Sequence, residues 1–150
     1  MLTRTRIAEL KQYFQNAGLL DVNITEDNSR YPVISELIGK TFLRVENQDN
    51  DQIVFISENE VFTFCHDQDC CEGVSIEDIE GDLNDLIGSP ILLAEENTNS
   101  DESEETKGCE EFTWTFYRFA TIKGYVVIRW FGESNGYYST DVSLHKHIIK

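Results

Sequence analysis

A chain of 150 residues, 40% hydrophobic and 11% aromatic, carries enough apolar surface for one domain with a core of its own, and its composition excludes an intrinsically disordered protein. No apolar run reaches the roughly 18 residues that span a bilayer, and MLTRTRIAELKQYF lacks the continuous apolar stretch of a secretory signal, so a cytoplasmic protein is expected. The net charge of −16 is concentrated in residues 46–111, where 21 acids meet one lysine; that field repels nucleic acid and anionic membranes and favours encounter with a basic protein surface.

In chain order, Thr3 or Thr5 caps a helix on which Ile7, Leu10, Tyr13, Phe14 and Ala17 recur at helical spacing until Gly18. Ile34, Leu37 and Ile38 share one side of a short helix or turn that Gly39 ends. From Thr41 the segments TFLRV, DQIVFIS and EVFTFCH, separated by QDND and SENE, predict three consecutive antiparallel strands. The stretch VSIEDIEGDLNDLIG first alternates and then reads as a short acidic turn or helix, with Asp82 as cap and Gly88 as stop.

Residues 90–94, PILLA, read as a buried strand, and NTNSDESEETKG, with no apolar residue, predicts a mobile acidic loop over about 97–109. FTWTFYRFATI, a Lys123-Gly124 turn, YVVIRWFG, an Asn135-Gly136 turn and YYSTDVSL then predict a β-meander. The expected fold is α+β: a single domain over 1–150 with an N-terminal helix packed on a mainly antiparallel sheet of about six to seven strands.

The run Cys65-His66-Asp67-Gln68-Asp69-Cys70-Cys71 holds three of the four cysteines and one of the three histidines, a donor composition that suits zinc. Thiols stay reduced in the cytosol, and vicinal Cys70-Cys71 would close only a strained ring, so metal ligation is expected before a disulfide. His66 and Cys70 have a permissible ligand spacing, and Cys109, Asp69 or Glu95 would complete the tetrahedron, Cys109 first; the expected set is His66, Cys70, Cys71 and Cys109. Strand alternation sends Cys65 and His66 to opposite faces and makes Cys65 the member least suited to the metal. In the plainer reading the cysteines are small buried hydrophobes and His66 hydrogen-bonds a neighbouring carboxylate. A closed four-ligand site is structural, not catalytic.

Elsewhere the chemistry is sparse. His145 and His147 read as solvated tail residues. Glu77, Asp78, Glu80, Asp82 and Asp85 match no twelve-residue calcium loop and read as a solvated acidic face suited to a basic partner. A zinc-dependent hydrolase would use His66 as ligand and Glu72 or Glu77 as base, and a small-signal sequestering protein would need a basic pocket that the sequence does not offer.

The blocks HDQDCCEGVSIEDIEGDLNDLIGSPILLAEE and TWTFYRFATIKGYVVIRWFGESNGYYS, residues 66–96 and 113–139, resemble a family of small, functionally unassigned phage and prophage proteins. The chain is also similar to type II-A anti-CRISPR proteins of streptococcal phages, zinc-containing inhibitors of Cas9. That resemblance implies a binding protein and not an enzyme, Cas9 as partner, and a structural zinc near His66, Cys70 and Cys71. Cys109 lies outside both blocks. The basic nucleic-acid channel of Cas9 agrees with the charge argument.

Overall fold

The computed structural model describes Gln12 and residues 24–26, 32–100, 108 and 110–149. Its strands are β1 (Ile24–Glu26), β2 (Arg44–Gln48), β3 (Gln52–Ile56), β4 (Glu60–Cys65), β5 (Gly73–Glu80), β6 (Leu93–Asn99), β7 (Glu111–Thr121), β8 (Gly124–Ser134) and β9 (Ser143–Ile149). The helix expected over residues 3–17 lies outside the described residues except for Gln12, which is helical. The turn expected before Gly39 is a 3-10 helix, Ile34–Leu37. The acidic turn capped by Asp82 is a second one, Leu83–Leu86, where the Asp82 side chain accepts from the Asn84 amide at 2.9 Å.

The three consecutive strands form as expected. β2 pairs antiparallel with β3, and β3 with β4. Between β2 and β3 the chain turns at Asp49 and Asn50, both at positive φ (51° and 59°), and these residue types tolerate that conformation because their short polar side chains can bond the local backbone.

The single-sheet expectation is corrected. The described strands form two antiparallel sheets, one of five strands in the order β1-β9-β4-β3-β2 and one of four in the order β5-β8-β7-β6. YYSTDVSL does not continue a meander. β8 is already paired on both sides, with β7 and with β5, so no ladder position is left for the next segment. The side chains of Ser134 and Asn135 also accept from the Gly136 and Tyr137 amides, each at 3.1 Å, which takes those N–H groups out of any ladder. The chain instead crosses over and enters the five-stranded sheet as β9, between β1 and β4. The polar stretch expected as a loop from residue 97 begins as strand, since β6 pairs with β7 as far as Asn99↔Trp114.

One hydrophobic cluster includes residues of both sheets: Phe55, Phe62 and Phe64 from the five-stranded sheet, and Tyr117, Phe119, Ile128 and Trp130 from the four-stranded one. The rings of Phe64 and Tyr117 are 4.8 Å apart and those of Phe55 and Phe119 5.0 Å apart, tilted as aromatic quadrupoles prefer. Strand alternation explains the core face of β8, where Val126, Ile128 and Trp130 are buried in turn.

Gly132 continues that face and admits the crossover. A Cβ there would lie 2.7 Å from the Thr140 carbonyl oxygen, and beside it the Thr113 and Thr140 hydroxyls are 2.8 Å apart. Gly132→Ala is expected to destabilise the protein by about 1–3 kcal/mol, the cost of overpacking a close backbone contact. Urea unfolding checks this; an unchanged midpoint would show that the crossover does not need the close approach.

Candidate functional site

The loop from His66 to Glu72 joins β4, in one sheet, to β5, in the other, and it folds around one carboxylate. Glu72 is buried, and each of its oxygens takes two donors. Oε1 accepts from the Cys70 amide and from Gln68 Nε2, both at 2.8 Å; Oε2 accepts from His66 Nε2 at 3.1 Å and from the Asp69 amide at 3.3 Å. Desolvation pushes this carboxyl up, but the hydrogen bonds from Cys70, His66 and Asp69 outweigh it and hold the group at about 2. An anion so low in basicity, with its lone pairs engaged, is a poor general base. The hydrolase reading loses Glu72 on that ground.

Of the residues expected to hold zinc, His66, Cys70 and Cys71 do not form a donor cluster among the described residues. His66 faces an acceptor from each ring nitrogen, with Nδ1 2.7 Å from the Asp141 carbonyl oxygen and Nε2 against Glu72. Both nitrogens are therefore engaged with protein oxygens, and neither is turned toward a metal in this arrangement. This matches the plainer expectation of a histidine bonded to a neighbouring carboxylate. The Cys70 and Cys71 sulfurs are bonded to each other as a vicinal disulfide, the closure expected to be disfavoured. Cys109 lies outside the described residues. The donor set at His66, Cys70 and Cys71 thus does not fit a zinc ion in this arrangement.

The structure assembles a different group. Cys65, Asp67 and His145 place a sulfur, a carboxylate oxygen and a ring nitrogen within 4.8 Å of one another. β4 and β9 pair with Thr63 opposite His145 and Cys65 opposite Ser143, which puts Cys65, Thr63 and His145 on one face, away from the Phe62 and Phe64 core face. Asp67 reaches this face from the loop, with Oδ1 3.0 Å from His145 Nε2. Alternation separates Cys65 from His66 as expected, but the possible metal donors gather on the Cys65 side. His145 and His147, expected in solvent, are both buried. The composition of the Cys65–Cys71 run was the signal for donors in this neighbourhood; no local signal linked it to His145, 78 residues beyond Asp67.

The expected acidic face is only partly a face. Glu77, Asp78, Glu80 and Asp82 are exposed. β5 is an edge strand with a bulge between Ile76 and Asp78, and charge together with a bulge keeps an open edge from pairing with other chains. Asp85 is half-buried behind Gly124, where any Cβ would collide with its carboxylate, and its carbonyl accepts the Thr121 hydroxyl. Beside the loop, Cys71 and Gly73 line one shallow depression with Ser134, Asn135 and Tyr138, so the two sequence blocks meet there.

Sheet order, crossover and loop define a two-sheet antiparallel β protein whose inter-sheet loop is organised on a buried carboxylate. Residues 35–144 match the family model described as Domain of unknown function (DUF7448), and the chain belongs to that family. No curated protein and no solved structure matches it. Among the described residues no helix is long and apolar enough to cross a membrane.

Proposed function

We propose that the chain is a phage-encoded anti-CRISPR protein of the type II-A class that its sequence resembles, a non-enzymatic inhibitor that binds Cas9 in the host cytoplasm. The observation that carries the reading is the row of exposed acids, Glu77, Asp78 and Glu80 on the open edge strand β5 and Asp82 just beyond it. Carboxylates on an edge strand form a laterally accessible negative strip, and such a strip steers and orients docking on a basic surface such as a nucleic-acid channel. The structural zinc of that class belongs to the proposal as a fold-holding ion. Direct contact with nucleic acid or membrane does not, because the same field repels both.

The test is target-DNA cleavage by a guide-loaded type II-A Cas9 with and without the protein. Inhibition is expected, with binding that weakens as salt rises from about 0.05 to about 0.5 M. The combined Glu77→Lys, Asp78→Lys and Glu80→Lys variant is expected to bind about tenfold or more weakly. Undiminished cleavage at saturating protein, or binding indifferent to both salt and charge reversal, would sink the proposal.

A further inference from the structure

We infer that Cys65, Asp67 and His145 form a binding site for one borderline-soft divalent ion, with zinc the best fit, that fastens β9 to the end of β4. The donors themselves select the ion. One thiolate and one imidazole suit zinc or cobalt, whereas calcium and magnesium require oxygen shells that a single carboxylate cannot supply. Bond lengths of about 2.0–2.3 Å put the donors of a tetrahedral zinc roughly 3.3–3.8 Å apart, and the three atoms lie within 4.8 Å of one another. Cys65 and His145 are held by the paired strands. Closure then falls to Asp67, whose side chain is 63% exposed on the loop and already within 3.0 Å of His145 Nε2.

Two further observations point to a ligand here. Thr63 is fully buried directly opposite His145, and its hydroxyl has no hydrogen-bond partner. Gln52 pairs with Cys65 from the other side, and its buried Oε1 has none either. Unpaired buried oxygens flanking three metal donors on one sheet face suit the shell of a bound ion, where a coordinated water has protons to donate. On binding, the Cys65 thiol releases its proton to solvent and His145 ligates as the neutral imidazole, its hydrogen bond to Asp67 giving way to coordination.

The same residue types also compose a cysteine-hydrolase triad, but the burial is inverted for that role. The would-be nucleophile Cys65 is only 3% exposed and the would-be orienting Asp67 is the open member. The site is independent of Cas9 binding, which can fail without touching it.

The experiment strips the full chain with chelator and titrates it with cobalt(II) and zinc, in the wild type and in the Cys70→Ser/Cys71→Ser double variant. One ion per chain and a thiolate-to-cobalt charge-transfer band are expected in both proteins. Cys65→Ser should abolish the band, and Asp67→Asn and His145→Gln should each weaken binding by more than about tenfold. Asp67→Asn, at an exposed side chain, keeps the test valid where a buried substitution fails to fold, and circular dichroism checks each variant. An absence of bound ion in the wild type, a band lost in the Cys70→Ser/Cys71→Ser protein, or affinity unchanged by Asp67→Asn would each overturn the assignment.

Discussion

Phe64→Ala is expected to lower the unfolding free energy by about 3–5 kcal/mol, the usual cost of emptying a phenylalanine site that cannot collapse. Phe64 is buried in β4, next to Phe55 of its own sheet at 5.7 Å. Across the interface its ring meets Tyr117 at 4.8 Å and Phe119 at 5.6 Å, so truncation leaves a void bounded by both sheets. The backbones of two hydrogen-bonded sheets cannot move inward independently to fill it, which places the cost toward the upper end of the range. Against a domain stability of about 5–15 kcal/mol this is a large fraction. Phe112→Ala is the comparison, because Phe112 is half-buried and lies outside the core cluster; its cost should be clearly smaller. Urea unfolding with an unchanged slope measures both, and equal midpoints for the two variants would refute the two-sheet core as the main store of stability.

Glu72→Gln is expected to unravel the inter-sheet loop although it preserves shape. Both oxygens of Glu72 are already given two donors apiece, so either orientation of a glutamine amide sets its NH2 group against two of them. Either the Cys70 amide and Gln68 Nε2, or the Asp69 amide and His66 Nε2, then lose their acceptor in a buried place, a heavier penalty than the loss of the bonds alone. The fall in midpoint should exceed that of Glu77→Gln, which alters an exposed carboxylate.

The pH dependence carries the same signature. Because the folded carboxyl is held at about 2 against an ordinary value of 4.5, its contribution is fully present above pH 4.5 and disappears as the pH falls toward 2. Wild-type stability should therefore decline through that window, and Glu72→Gln should lack this component of the decline. Parallel acid titrations of the two proteins would contradict the assignment.

Residues that fold by their neighbours were legible in the sequence. The strands β2 to β4 follow from alternation and from turn residues that accept positive φ, Asp82 and Gly39 mark the ends of short turns, and the long β7–β8 hairpin follows from its two-faced pattern. The failures are of another kind. YYSTDVSL has the alternation of a strand, but whether a strand forms there depends on a vacant neighbour, and β5 takes the place beside β8. That occupant comes from about 55 residues earlier in the chain, at a distance no local pattern encodes.

The candidate site divides along the same line. Composition alone drew attention to Cys65–Cys71, because sulfur, imidazole and carboxylate were crowded together, and charge alone located the acidic strip, because both are sums over neighbouring residues. Which donors can share an ion was left to tertiary pairing. The crossover brings His145 opposite Thr63 and within 3.0 Å of Asp67, while Glu72 and the Asp141 carbonyl engage both nitrogens of His66. Donor identity is a property of the chain; donor distance is a property of which strands pair, and that pairing removed His66 from the set and added a histidine expected in solvent.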